Sequence, residues 1–293
     1  MQERFNVCIQ QLPNQLAAAL APLLNDSFSG HISRSCLMSL ITASGLNQQQ
    51  VLFSLLPVAA SMSSAPISDF YVGAIAVGAS GDLYLGANLE LPAAALNHSV
   101  HAEQSAICHA WLNGESHITD IIVNASPCGH CRQFINELVG SKSIQISIPG
   151  YSSAPLSEFL PNAFGPIDLG IENGLMSPQD IGLKLNTDDP LLAKAVKHAN
   201  QSYAPYTHTH ASVALHTKTN HILVGQYAEN AAFNPAMMPM QMALSGLMRH
   251  GLTYDAISRA VLVESARGKI SLVNASANAL NAISSLTLEH VII

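Results

Sequence analysis

Two short stretches of the chain bring together residue types that can do chemistry as a group: His101-Ala102-Glu103 and Pro127-Cys128-Gly129-His130-Cys131. Cys128 and Cys131 stand three apart, so on the first turn of a helix both sulfurs point the same way. His101 adds a nitrogen donor. Three nitrogen and sulfur ligands leave one position of a zinc ion open, as a catalytic zinc requires. Glu103 cannot share a helical face with His101, because two residues span about 200° of a regular helix. The pair can instead flank an ion lying over the helix N-terminus, with His101 ligating and Glu103 approaching the open position. Two thiolates weaken zinc as a Lewis acid. The positive ends of two helices would partly restore its strength and favour the thiolate forms.

The same residues admit other readings. A lone C-x-x-C can be a redox pair, but thioredoxin-like pairs lack an upstream H-x-E. A closed structural zinc site needs a fourth ligand, and His130 or His109 could supply it. His130 reads more simply as a loop residue turned away from the metal. Cys8, Cys36 and Cys108 read as buried small hydrophobes. His208, His210 and His216 have no ligand spacing with a partner.

The elements that position these residues follow from pattern. Residues 1–48 read as a small helical segment, with helices over Gln10–Leu24 and Ser33–Ser44, the second closed by Gly45. Val51–Ser63 reads as helical, with Pro57 either kinking it or marking its start. Phe70–Gly78 and Leu83–Glu90 flank Ser80-Gly81-Asp82, a hairpin signal. Ala102–Asn113 reads as a helix stopped by Gly114. A strand at Asp120–Ala125, a helix at Cys128–Val139 and a strand at Ser143–Ile148 follow. Strands alternating with helices imply crossovers and an α/β sheet covered on both faces. Residues 150–189 carry four prolines and little periodicity, and read as an extended connector.

An internal repeat organises the rest. At an offset of 139, Ala60, Ser63, Ala65 and Pro66 fall on Ala199, Ser202, Ala204 and Pro205. Gly86 and Glu90 fall on Gly225 and Glu229, and Ile118, Ser126 and Gly129 on Ile257, Ser265 and Gly268. One α/β unit is therefore duplicated. The expected division is 1–48 helical, 49–150 catalytic, 151–189 connector and 190–293 a second copy. At this offset His101 falls on Met240, Glu103 on Met242, Cys128 on Arg267 and Cys131 on Ile270. The second copy lacks every ligand, so one zinc per chain is expected.

Composition bounds the partners. The 293 residues carry 12 Lys plus Arg against 19 Asp plus Glu, a net charge of −7. Nucleic-acid-coating proteins gain most of their affinity by neutralising phosphates, so this balance argues against that class. Hydrophobic residues make up 48% and charged residues 11%, which excludes a disordered chain and suggests surface buried against another chain. No run approaches the ~18 apolar residues of a membrane span. Leu16–Leu24 has no basic stretch before it and reads as an amphipathic helix rather than a signal peptide. An odd count of five cysteines without an export signal favours reduced thiols in a cytoplasm.

The full text, Asn88-x-Glu90, then His101-Ala102-Glu103, then Pro127-Cys128-Gly129-His130-Cys131-Arg132-Gln133, resembles the cytidine deaminase family, whose short zinc signature is that of nucleobase deaminases. The duplicated layout is similar to the homodimeric bacterial type. The resemblance implies a three-layer α/β/α deaminase-type sandwich, duplicated, behind a small helical segment. It implies zinc on His101, Cys128 and Cys131, with Glu103 carrying protons. It implies Phe70 beside the base, Asn88 and Glu90 on the ribose hydroxyls, and the Ala102 N–H and Ser126 carbonyl reading O2 and the amine. Hairpin pairing agrees with part of this, since it sets Phe70 opposite about Glu90 or Leu91, and Asn88 and Glu90 share a strand face. The family layout further places a partner loop over each pocket. Phe233, in Glu229–Pro235, and Phe164 are the apolar candidates.

The implied reaction is hydrolysis of cytidine and deoxycytidine to the uridine products and ammonia. A deaminase acting on polymeric DNA or RNA would need a basic channel and stacking aromatics. The chain offers neither, with a single Trp and an excess of acid. A non-catalytic zinc-stapled protein would not need Glu103. Guanine and deoxycytidylate deaminases share the zinc signature but should lack the Asn88 and Glu90 pair.

Overall fold

The computed structural model describes residues 2–293. Helices α1 (Asn6–Gln10) and α2 (Asn14–Leu20), strand β1 (His31–Ile32), and helices α3 (Arg34–Ser44) and α4 (Gln48–Ala60) come first. The first unit continues with β2 (Gly73–Gly78), β3 (Leu83–Ala87), α5 (Ala102–Leu112), β4 (Ile118–Val123), α6 (Gly129–Asn136) and β5 (Gln145–Ser147). Then follow β6 (Ala154–Pro155), α7 (Leu156–Phe159), α8 (Pro190–Asn200), β7 (Ala211–Thr217), β8 (Ile222–Gln226), α9 (Pro239–Arg249), β9 (Ile257–Glu264), α10 (Val273–Asn281) and β10 (Glu289–Ile292).

The strands make two mixed sheets, ordered β1-β3-β2-β4-β5-β6 and β10-β9-β7-β8. The β4–β5 and β9–β10 pairs are parallel and the rest antiparallel. Each sheet lies between helices, so the three-layer α/β/α sandwich appears twice. One face of the first sheet packs Ile75 and Leu85 against Leu55 of α4 and Leu16 of α2. The other faces of both sheets share one continuous core, in which Ala106 of α5 and Leu244 of α9 meet Ile121 and Val213. Helix α5 is buried along Ala102–Trp111, which is why its sequence shows no amphipathic stripe. It can lie this close because Gly86 has no side chain: a Cβ there would sit 2.1 Å from the Ala106 nitrogen. Gly225 serves α9 likewise, with a Cβ falling 2.0 Å from the Pro239 carbonyl oxygen.

Several element readings need correction. The expected helix over Gln10–Leu24 is broken at Pro13, leaving α1 and α2, though Leu16 and Leu20 do point into the core as an amphipathic helix requires. Pro57 lies inside α4, whose start is fixed earlier by Asn47: its Oδ1 accepts from Gln50 N and Gln50 Oε1 accepts from Asn47 N, each at 2.9 Å. The connector is not wholly extended, because β6 pairs with β5 and α7 follows. The guanidinium of Arg4 donates to the carbonyls of Met248 and Arg249 at 2.5 and 2.6 Å, tying the first segment to the end of α9.

The repeat holds at 139 through β2, β3 and β4 against β7, β8 and β9 but slips at the helices and at the last strand. Bulges at Val77/Gly78 and His216/Thr217 match at that offset, as do the bridges Ser64–Leu89 and Tyr203–Ala228. Helices α5 and α9 start 137 apart, at Ala102 and Pro239. Met238 and Met240, not Met240 and Met242, therefore stand where His101 and Glu103 stand. By the starts of α6 and α10, Leu272 and Ala275 match Cys128 and Cys131, rather than Arg267 and Ile270. Insertions balance on either side of α9, and a gapless comparison cannot see them. The 137 register also yields a reciprocal seam. Gln104 donates to the Pro235 carbonyl, and Gln241 pairs with His98 Nδ1 at 2.7 Å.

Candidate metal centre and pocket

His101 and Cys128 are the N-caps of α5 and α6, so two helix starts converge on one point. The His101 Nδ1 lies 3.4 Å from the Cys128 sulfur, and the two sulfurs are 3.7 Å apart. A tetrahedral zinc with Zn–S of ~2.3 Å and Zn–N of ~2.0 Å needs S···S of about 3.8 Å and S···N of about 3.5 Å. The three donors thus already hold the spacing the ion demands. Among the described residues they are the one such group of donors, all within 4.8 Å of one another. His109 lies elsewhere, with its Nδ1 on the Leu85 carbonyl at 3.0 Å. His130 is not a loop residue: it sits in the first turn of α6 and its ring stacks on His101, centroids 5.1 Å apart.

Electrostatics support a cation. The two thiols share a proton unequally: the Cys131 thiol and the backbone N–H groups at the helix start hold Cys128 down to about 4. Cys131 is pushed up, first by the Cys128 sulfur and then by burial. A zinc ion would remove the remaining proton. Burial raises the Glu103 carboxyl above the usual range, against the pull of its own backbone N–H, the Cys131 thiol and His101.

The donors open into a cavity of 270 Å³. Phe70, Asn88, Glu90, Ala102, Glu103 and Ser126 all line it, brought together from the ends of β2, β3 and β4 and the start of α5. Register supports the rim: Gly73 pairs with Ala87, which sets Phe70 level with Glu90. Asn88 braces the end of the hairpin, accepting from Val72 N and donating to the Phe70 carbonyl, both at 2.9 Å. Glu90 accepts from Ile67 N, Ser68 N and the Ser68 hydroxyl. Burial opposes ionisation, but those three donors outweigh it and hold the Glu90 carboxyl low.

Phe164 and Phe233 do not join this cavity. Both are exposed, at 48% and 65%. Phe233 also has a left-handed backbone, φ +62°, which costs a bulky residue about 1–3 kcal/mol and persists only where surroundings impose it. Sequence reasoning missed two supports. Gln104 accepts from His101 N and so fixes the ligand's backbone. Its place three residues after the N-cap was the available signal. Arg132 donates to the Pro127 and Phe159 carbonyls at 2.8 and 3.0 Å, holding the corner that presents Cys128.

Two deaminase units in one chain, with a three-donor metal site at one of them, define the class: a zinc-dependent deaminase. A family model described as the cytidine and deoxycytidylate deaminase zinc-binding region matches residues 46–147, and a second with that description matches 156–277. The cytidine deaminase of Shewanella sediminis (strain HAW-EB3) is 56% identical over 293 residues, covering 100% of this chain and 99% of its own length. That of Shewanella oneidensis is also 56% identical, with the same coverage. A solved cytidine deaminase from Mycobacterium tuberculosis is 28% identical, covers 41% of this chain and 99% of its own, and gives a TM-score of 0.37. The chain belongs to the cytidine deaminase family.

Proposed function

We propose that the protein is a hydrolase that adds water to C4 of cytidine or deoxycytidine and releases ammonia, leaving uridine or deoxyuridine, a pyrimidine salvage step. The observation that carries this is the convergence of three donors at tetrahedral zinc spacing on a cavity that a buried carboxylate floors and Asn88 and Glu90 rim. His101, Cys128 and Cys131 would hold a zinc ion, which would acidify a bound water at neutral pH. Glu103 takes a proton from the attacking water and delivers it to N3 of the base; after attack at C4 it takes the second proton from the new C4 hydroxyl and passes it to the departing amine, so that the C4–N bond breaks as the carbonyl forms. The N–H of Ala102, first in its helix and so without an intrahelical acceptor, is free for O2. The Ser126 carbonyl receives the amine, Phe70 flanks the base, and Asn88 and Glu90 take the ribose hydroxyls.

The unit within 49–150 carries the reaction, and 190–293 is a non-catalytic copy joined through 151–189, behind the segment 1–48. Met238 and Met240 fill the positions of His101 and Glu103 with apolar side chains. Two chains form a homodimer in which Phe233, with Phe164 as a second candidate, covers the partner's pocket. Exposure of both rings, in a chain with 48% hydrophobic residues, supports this. Free thiols at all five cysteines suit a reducing cytoplasm. No helix among the described residues is long and apolar enough to cross a membrane. The test is ultraviolet absorbance with purified protein: loss with cytidine, and none with cytidylate or a single-stranded oligonucleotide. Turnover of the oligonucleotide but not cytidine would overturn the reading.

A further inference from the structure

Glu137 is fully buried and the mechanism does not use it. It follows the last residue of α6, the helix that begins beside Cys128 and contains Cys131. Its Oε1 accepts from the hydroxyls of Tyr203 and Tyr206 at 2.8 and 2.5 Å, and its Oε2 accepts from Ala231 N at 2.8 Å. All three donors lie in the second unit. One turn earlier, Asn230 Nδ2 donates to the Gln133 carbonyl at 3.0 Å. Gln104, on α5, donates to the Pro235 carbonyl. The loop 230–235 is thus held at three points by the two helices whose starts carry the metal donors. Its Phe233 meanwhile stands out into solvent in a left-handed conformation.

A buried carboxylate is a poor way to gain stability, since apolar packing serves as well. What three directed donors add is a fixed position. We propose that Glu137 is a positioning residue: it locks the 230–235 loop onto α6 so that Phe233 is presented in the one pose that completes the partner's pocket. This rests on the shared-pocket reading above. It means that Glu137 acts on the active site of the other chain rather than on the zinc site of its own. An amide can serve in its place, accepting from Ala231 N and donating to both tyrosine oxygens. A methyl group cannot.

Differently tagged chains, co-expressed and purified through both tags, give defined pairs to test this. In the first pair an unaltered chain is joined to a Glu103→Ala, Glu137→Ala chain. Its one working pocket receives the damaged loop, and kcat/KM should fall about tenfold or more, chiefly through KM, within the ~10²-fold that a 1 Å misplacement can cost. In the second pair a Glu137→Ala chain is joined to a Glu103→Ala chain. Its working pocket receives an intact loop and should stay within about twofold of an unaltered chain paired with Glu103→Ala. Zinc content should stay constant throughout. Glu137→Gln should restore the first pair. If Glu137→Ala fails to fold, Tyr203→Phe with Tyr206→Phe removes two donors and keeps the shape, and should show a smaller loss in the same pair. A loss in the second pair as large as or larger than that in the first, or no loss in either, would overturn the proposal. An active monomer would instead overturn the shared pocket itself, and the tag purification reports that separately.

Discussion

Glu90 and Glu229, 139 residues apart, make the same set of hydrogen bonds. Glu90 accepts from the backbone N–H of Ile67 and Ser68 and from the Ser68 hydroxyl; Glu229 accepts from the N–H of Tyr206 and Thr207 and from the Thr207 hydroxyl. Asp69 and His208, next along, share a left-handed backbone, φ +52° and +58°. A carboxylate thus braces the corresponding loop in both halves, whether or not it also faces the metal-site cavity. Three donors occupy three of about four acceptor sites, which leaves room for one ribose hydroxyl at Glu90.

That double duty can be separated. Glu90→Gln should cost about 10–100-fold in kcat/KM with cytidine, as the loss of a hydrogen bond to a charged group does. With 3′-deoxycytidine the same substitution should cost much less, because the hydroxyl it serves is gone. Equal losses on both substrates would leave Glu90 a brace alone. Cytidine 3′-monophosphate should be a very poor substrate, since its phosphate would be buried against a carboxylate.

Glu103→Gln should keep the fold and the metal while losing ~10²–10⁴-fold or more in turnover, since the proton carrier goes and the donors stay. Thermal melting and metal content should match the unaltered protein. A zinc-loaded variant with near-normal turnover would sink the proposed role.

Metal analysis should find one zinc per chain. Cys131→Ser should lower that content, and chelation should abolish activity until zinc is returned. Neither Met238, Met240, Leu272 nor Ala275 offers the second unit a ligand of the kind zinc prefers. Two tightly held zincs per chain would contradict the assignment of a non-catalytic copy.

Complementation addresses the shared pocket. A Glu103→Ala chain and a Phe233→Ala chain should each be nearly inactive alone. Mixed under conditions of subunit exchange, they should regain activity, because one dimer pocket then pairs an intact Glu103 with an intact Phe233. Proven exchange without recovery would show that each chain builds its pocket alone.

The zinc donors were legible in the sequence because His101 and Cys128 are helix N-caps and Cys131 lies in the first turn after one, at helix starts that their own neighbourhoods specify. The hairpin was legible from Ser80-Gly81-Asp82, whose pairing set Phe70 against Glu90 or Leu91, and the register selects Glu90. What stayed hidden depends on distance along the chain. Strands β1 and β6 have two residues each and carry no periodicity. The two-residue slip at α9 is compensated before β9, so the offset of 139 reads true on both sides of it. Gln104 and Glu137 look like surface residues because their partners stand 131 and 66–94 residues away.

Arg4 reaches carbonyls 244 and 245 residues further along. On a ribosome adding about 5–20 residues per second, that acceptor pair emerges roughly ten to fifty seconds after Arg4 does. The first sheet and the helices whose starts carry the metal donors can form in the meantime, and Gln2 and Phe5 can meet Leu24 and Phe28, while Arg4 still lacks its acceptors. Translation speed thus sets how long the Arg4 guanidinium stays without these acceptors.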